Sequence, residues 1–320
     1  MNPIPATISA AALGRVLRAL ERDTPLPLRA IAEKTCLSPS TVARALRELT
    51  AIGILAEDEG TDPVSGRPCR VLLPAPVAVL PVFSVSEGRG RVIALDLTAT
   101  PLGTSSVELN PALPPEEGLR LLCRRAMPLL RGCAEATGLS VTAPILLTDR
   151  SEAFPSEAVA DTVGLPPLVT IGYGEAVAAA VECQPVPKEA ASLLHIHGAD
   201  RRVTLLTRRG GECWQLSPVG ENLTRALTRY TDGERSPDAL RKGMARFLME
   251  LCGFLAIDCI LAEDPSGVLP SPEEARLLLP DETVWIRREA HGNEPSLAVL
   301  GAFTVGRRLL WEKILSERKR

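Results

Sequence analysis

Residues 28–55, LRAIAEKTCLSPSTVARALRELTAIGIL, constrain this chain more than any other stretch: they encode two short helices joined by a tight turn and running into an extended segment. Ser38 stands where a helix N-cap belongs, and Pro39 follows at the first helical position, where its missing N–H costs nothing. A helix is therefore predicted from Pro39. Val42, Ala45, Leu46, Leu49 and Ile52 recur at spacings of three and four, so one stripe faces a core. The opposite face carries Ser40, Thr41, Arg44 and Arg47, hydroxyls and guanidinium groups that suit phosphates and base edges. The same residues would also suit a solvated amphipathic helix, so the flanking chain has to decide.

Upstream, Leu13, Val16, Leu17 and Leu20 form another helical stripe, giving three helices before any strand. Downstream, Gly53 ends the third helix, Ile54-Leu55 begins an extended run, and the chain returns as Arg70 to Leu73. That order is a winged helix-turn-helix over residues 1–73, with Ser65-Gly66-Arg67-Pro68 at the wing tip. An arginine on such a tip suits the negative potential of a narrow minor groove. Ser38, Ser40, Thr41, Arg44, Arg47 and Arg67 are therefore the candidate contacts to a double-stranded DNA operator.

Charge sets a condition on this reading. Residues 1–75 hold nine Lys+Arg against eight Asp+Glu, so the domain is no polycation. Affinity would depend on a few clustered arginines and on pairing two copies in a homodimer. Eight cysteines show no CxxC or CxC spacing, so no clustered thiolate metal site is expected, and most should be reduced, buried apolar residues. No apolar run approaches the length of a membrane span and the N-terminus does not resemble a signal peptide, which implies a cytoplasmic protein without a membrane partner.

Residues 74–90 read as a stiff linker, on the proline-rich stretch Leu73 to Pro81, LPAPVAVLP, that leads into them. Beyond it strand and helix patterns alternate. Arg91 to Leu97 and Gly103 to Leu109 form a hairpin, followed by helical Pro115 to Thr137, extended Ala143 to Thr148, helical Ser156 to Val163, extended Leu168 to Ile171 and helical Gly174 to Cys183. A second cycle starts at Ala190 and runs through strands to His197, Thr207 and Leu216, helices from Glu221 and Pro237, strands at Cys259 and Thr283, and a terminal helix from Pro295. Two similar units, 91–185 and 186–320, imply a duplicated α/β architecture with a cleft between halves.

The winged helix with Gly66-Arg67-Pro68, the strand end Ala94-Leu95-Asp96-Leu97-Thr98-Ala99-Thr100, the helix Glu175 to Glu182 and the C-terminal Leu300-Gly301-Ala302-Phe303 together resemble the ROK family of repressors, open reading frames and sugar kinases. The resemblance implies an actin-like, sugar-kinase-like (ribonuclease H-like) α/β domain behind the winged helix, in a family whose regulators bind operators usually as dimers or tetramers and many of which respond to a sugar or sugar phosphate. It makes Asp96, Thr100 and Glu175 candidate residues of a ligand cleft.

The departures from the family pattern bear on catalysis. The D-x-G-G-T phosphate loop of active kinases is represented by Asp96-Leu97-Thr98-Ala99-Thr100, with both glycines replaced. The G-T-G-x-G loop falls at Gly198-Ala199-Asp200-Arg201-Arg202, where an aspartate would repel a phosphate. Gly174 stands in place of the aspartate base, and Trp214 to Arg225, WQLSPVGENLTR, lacks the cysteines and histidine of the family's zinc loop. Glu175, one residue on, better suits the helix dipole than the role of substitute base.

His195 and His197 alternate on a predicted strand and read as a structural or solvent-facing pair rather than metal ligands, and Gly88-Arg89-Gly90 reads as a turn. The expectation is a transcriptional regulator, not an enzyme, with no catalytic residues, metal or cofactor. Two other readings stay open: a carbohydrate kinase carrying a DNA-binding domain, and a scaffold whose C-terminal domain binds a protein.

Overall fold

The computed structural model describes residues 8–22, 26–61, 68–86, 88–110, 112–142, 144–148, 164–199, 201–209, 213–217, 220–232, 236–288 and 294–317. The wing tip with Arg67, the helix expected at Ser156 to Val163, Asp200, His291 and the last three residues lie outside them. The chain folds as two compact units: residues 1–146, 153–170 and 303–320, and residues 147–152 and 171–302.

The first unit begins with three helices, α1 (Ala10–Arg22), α2 (Leu28–Thr35) and α3 (Pro39–Ala51). The predicted stripes bury as expected: Leu13, Val16, Leu17 and Leu20 meet Val42, Ala45, Leu46 and Leu49 in one core. Strand β2 (Leu55–Thr61) pairs antiparallel with β3 (Pro68–Pro74), from Leu55 opposite Pro74 to Thr61 opposite Pro68. A two-residue strand, β1 (Leu26–Pro27), adds to the other side of β3 and closes the winged helix. It is too short to leave a pattern in the sequence.

The segment expected as a linker corrects that reading. Ala78–Ser86 forms β4, paired antiparallel with β5 (Arg89–Asp96) through eight residues, with Pro81 opposite Ala94. The Val79 carbonyl faces the flanking chain, where it accepts from the Thr142 N–H at 2.9 Å. Alternation puts the nitrogen of Pro81, two residues on, on that same side, near the junction between the short β7 (Ser140–Val141) and β8 (Ile145–Thr148). A proline is tolerated there because the neighbouring strand is interrupted.

The first sheet runs β6-β5-β4-β8-β9, with β6 (Pro101–Glu108), β9 (Val169–Gly172), and β7 paired beside β4. Helix α4 (Pro115–Thr137) covers it, burying Leu119, Leu122, Cys123, Ala126 and Leu130 against Val79, Phe83, Val92 and Leu146.

The second unit repeats the plan: its sheet runs β12-β11-β10-β13-β14, from β10 (Ser192–His197), β11 (Arg202–Thr207), β12 (Gln215–Leu216), β13 (Cys259–Glu263) and β14 (Val284–Arg288). In each sheet the first strand is central, the second and third extend one way by antiparallel pairing, and the fourth and fifth extend the other. The duplication is therefore strand for strand, and β4 is the member that a linker at this position would remove. Helices α5 (Tyr173–Val181), α6 (Gly220–Thr231), α7 (Pro237–Phe254) and α8 (Pro272–Leu278) belong to this unit. Leu223, Leu227, Met244, Phe247 and Leu248 of α6 and α7 pack on Leu194, Ile196 and Ile260. The last helix, α9 (Leu297–Glu317), begins in this unit and ends in the first.

His195 and His197 are buried on β10, so neither faces solvent. Cysteine burial is also less uniform than expected, with Cys36 and Cys213 exposed and Cys123, Cys133 and Cys259 buried. Burial pushes the thiol of Cys123 up to about 12 and that of Cys259 to about 11, as inert core residues require.

Candidate nucleic-acid interface and the kinase-like loops

Helix α3 starts at Pro39 because Ser38 caps it: the Ser38 Oγ accepts from the Thr41 N–H at 3.2 Å. The same oxygen lies 2.9 Å from the Ser40 hydroxyl and 2.8 Å from that of Thr41, tying three predicted contact residues into one corner. Ser38 therefore serves first as the cap. The helix ends as sharply, with Gly53 at φ 77°, its N–H on Thr50 and the Ile54 N–H on Leu49, a Schellman closure. The turn from α2 depends on Cys36, which adopts a left-handed φ of 52° without being glycine. No sequence signal marks that residue.

Between these closures Ser40, Arg44 and Arg47 are exposed and Thr41 half-buried on one side of α3. The Arg47 Nε donates back to the Ala43 carbonyl at 3.3 Å, which orders the base of that side chain. The wing stem is unlike this face. Glu57, Asp58 and Glu59 are exposed on β2, and only Glu57 meets a described cation, Arg70 at 3.0 Å. Carboxylates repel phosphates, so these stem residues are poorly suited to neutralising a phosphate backbone.

The kinase-like loops are built differently. At the end of β5 the Asp96 Oδ1 accepts from the Thr98 N–H at 2.8 Å, the Thr98 hydroxyl at 2.6 Å and the Thr100 N–H at 3.0 Å. Ala99, standing where the family pattern has its second glycine, keeps a left-handed φ of 69°.

In the second unit Arg201 turns the β10–β11 hairpin at φ 51°, and the Arg202 guanidinium lies 4.5 Å from the centre of the Tyr173 ring. Gly174 is closely covered: a Cβ there would come within 2.6 Å of the Leu216 Cδ1. Glu175 accepts from the Gly172 N–H at 3.2 Å and so closes the first turn of α5. Asp96 and Thr100 belong to one unit and Glu175 to the other.

One buried charge cluster has no counterpart among the sequence-based expectations. Glu263, at the end of β13, is paired with Arg288 and lies 3.4 Å from the His195 Nε2, and both its oxygens accept from the Leu297 N–H at 3.0 Å. Burial holds His195 below its ordinary value of 6.5, outweighing the neighbouring carboxylate, and its Nδ1 has no hydrogen-bond partner among the described residues. Burial also pushes the Glu263 carboxyl upward, yet its partners win and it stays below the usual 4.5. With His195 neutral, that hold falls to its hydrogen bond, to Arg288 and to the start of α9. The alternation of His195 and His197 is the visible signal, and it marks a structural anchor. Among the described residues no three His, Cys, Asp or Glu side chains form a group able to hold a metal.

Comparison with known proteins decides the N-terminal domain. The family description "IclR helix-turn-helix domain" matches residues 12–59. These residues are an IclR-type helix-turn-helix domain. The IclR-type match spans α1 from its third residue to Glu59 in β2, and includes the whole exposed face of α3. No curated protein matches the chain in sequence.

Among solved structures, a ROK family transcriptional regulator, a homologue of the Escherichia coli MLC protein, aligns over 93% of this chain and 97% of its own at 13% identity and a TM-score of 0.54. That likeness shows the fold: this chain shares that regulator's fold over nearly its whole length, a winged helix ahead of a duplicated α/β body. A ROK family glucokinase from Streptomyces griseus aligns over 72% of this chain and 100% of its own at 12% identity and a TM-score of 0.48. A polyphosphate/ATP-glucomannokinase from Arthrobacter sp. strain KM aligns over 73% of this chain and 99% of its own at 13% identity and a TM-score of 0.46. No helix among the described residues is long and apolar enough to cross a membrane.

Proposed function

We propose that this chain is a cytoplasmic, homodimeric transcriptional regulator whose IclR-type domain reads a double-stranded DNA operator through Ser40, Thr41, Arg44 and Arg47 of α3. Arg67 reaches the minor groove from the wing. The observation that carries the reading is the exposed polar face of α3, held between a serine cap and a glycine closure within a domain of DNA-binding class. Dimerisation follows from the near-neutral charge of the domain, since one copy offers too few phosphate contacts for tight binding. The α/β body supplies the dimer contacts and senses an effector of the sugar or sugar-phosphate class, in keeping with the ROK resemblance.

This body is read as having no kinase activity. Asp96 is committed to its own turn, Glu175 to a helix end, and Leu216 covers the position where a carboxylate base would project from residue 174. Selection of genomic fragments by the purified chain, wild type against Arg44→Ala/Arg47→Ala at fixed salt, tests the central claim. A palindromic motif that the double variant loses is the expected result. Equal enrichment by both proteins, or none by either, would remove α3 as a DNA reader.

A further inference from the structure

The first unit contains a second device that DNA recognition alone does not explain. Helix α9 leaves the α/β body and ends inside the core of the winged helix. Trp311 is 2% exposed and belongs to the cluster formed by Leu13, Leu20, Ile31 and Leu49, with Ile314 and Leu315 packed against it. One turn earlier, the buried Arg307 donates its Nη1 to the carbonyl of Leu97 at 3.1 Å. That carbonyl lies inside the Asp96–Thr100 turn. The Arg307 guanidinium also stacks between two rings, 5.1 Å from the centre of Phe303 and 5.0 Å from that of Trp311. At Gly306 the helix backbone lies against the sheet, where a Cβ would come within 2.8 Å of Ile145 and 3.0 Å of Leu80.

We infer that Arg307 and Trp311 are positioning residues that couple the Asp96–Thr100 turn to the DNA-reading domain, so that a change in the turn alters the placement of α3. The path is short and stiff. From residue 307 to residue 315 a helix rises about 12 Å, and its interior hydrogen bonds leave little room for the two ends to move separately. Three hydrogen bonds to Asp96 Oδ1, the backbone bonds from the Asp96 N–H to the Thr100 carbonyl at 3.1 Å and from the Ala99 N–H to the Asp96 carbonyl at 3.0 Å, and a Thr98–Thr100 hydroxyl contact at 2.9 Å hold the turn; all lie within residues 96–100, so it can rearrange without unfolding the sheet. Its carbonyl at Leu97 then draws Arg307, and the stacked Trp311 transmits the shift into the helical core. Two discrete arrangements of one packed element are what such coupling requires. The consequence for DNA affinity rests on the function proposed above, whereas the mechanical link does not.

The test uses the full chain labelled with 5-fluorotryptophan, whose three resonances, one per tryptophan, are assigned by Trp311→Phe. Asp96→Ala loosens the turn, and Thr98→Val, which removes only the two hydrogen bonds of the Thr98 hydroxyl, serves if that variant folds poorly. The expected result is a shift of the Trp311 resonance that disappears when Arg307→Gln is added. In parallel, affinity for a duplex selected by the wild-type protein is expected to change about threefold or more with Asp96→Ala, and not to change further in the Arg307→Gln background. An unmoved Trp311 resonance, or affinity changes that simply multiply, would overturn the coupling. Failure to select any duplex would instead remove the DNA reading, while the fluorine signal still decides the link.

Discussion

The corner at Ser38 and the corner at Asp96 are each closed by one side-chain oxygen that accepts from the backbone two to four residues ahead, yet they leave opposite surfaces behind. Ser38 caps a helix whose next turns present Ser40, Arg44 and Arg47 to solvent. Asp96 folds its loop onto its own carboxylate. The same contrast runs through the rest of the molecule. In the IclR-type domain the capping bond builds a presenting face, while in the α/β body acidic groups are committed to structure: Glu175 at α5, Asp258 on the Ala191 and Ser192 N–H groups at 2.8 Å, Glu263 on the start of α9. One capping chemistry can create a site or occupy one, and the direction in which the next residues point decides which.

The most direct way to break this comparison is at the presenting face. Arg44→Ala/Arg47→Ala removes two guanidinium groups per domain, each worth about 1–3 kcal/mol at a base edge. Across two copies in a dimer, affinity for the selected operator is expected to fall at least about 1000-fold, with the melting temperature unchanged, in titrations at constant salt. A loss below tenfold would mean that α3 presents its arginines to solvent alone.

The buried carboxylates give the next largest effect. Glu263→Gln leaves Arg288 without its anion in a dry site and is expected to cost about 3 kcal/mol in urea unfolding. The pH dependence has a defined sign. His195 is depressed below 6.5 in the folded chain, so the unfolded chain takes up that proton first and stability falls as pH drops below this value. Glu263, depressed below 4.5, adds a second loss further into acid. His195→Gln should flatten the first decline and leave the second. An unchanged slope near pH 6 in that variant would show that another group governs it.

Gly174→Asp sharpens the contrast within the body. If only the missing carboxylate separated this chain from a kinase, restoring it would confer ATP-dependent sugar phosphorylation. Instead the new Cβ would meet the tip of Leu216 at 2.6 Å, an exposed side chain that can swing aside, so the expected outcome is no turnover and a loss of at most about 1 kcal/mol. Adding Leu216→Ala should recover part of that stability. Turnover in Gly174→Asp alone would restore the kinase reading.

These sites differ in how far the sequence announces them. Helix α4 is read to the residue as Pro115 to Thr137, because a proline start, two early glutamates and a glycine end are all local signals. The Ser38 cap and the α3 stripe are legible for the same reason. Strand β4 is not, because Pro74, Pro76 and Pro81 argue against a strand, and only the interruption between β7 and β8 makes room for Pro81. The Leu216 contact at Gly174, the carbonyl that Arg307 finds at Leu97 and the Glu263 cluster join residues 25 to 210 positions apart, so neither periodicity nor spacing could foretell them. Arg307 in particular reads as an ordinary helical arginine until the fold brings its partner to it.

The smallest effect isolates what the Asp96 corner has kept. Ala99 holds φ at 69°, a conformation that costs an L-residue about 1 kcal/mol or more and glycine almost nothing. Ala99→Gly removes that cost but gives the unfolded chain extra freedom, which offsets it by about 0.4–1 kcal/mol. The net expectation is a gain of roughly 0.5 kcal/mol in urea unfolding, with the turn unchanged. A clear destabilisation would mean that the alanine methyl group contributes packing that outweighs its strain. A gain would mean that the turn favours a glycine at residue 99 and is held in its left-handed shape by its hydrogen bonds, those to the Asp96 carboxylate among them. That shape also places the Leu97 carbonyl where the Arg307 Nη1 donates to it at 3.1 Å, so on the coupling inferred above a change at residue 99 would be felt at Trp311.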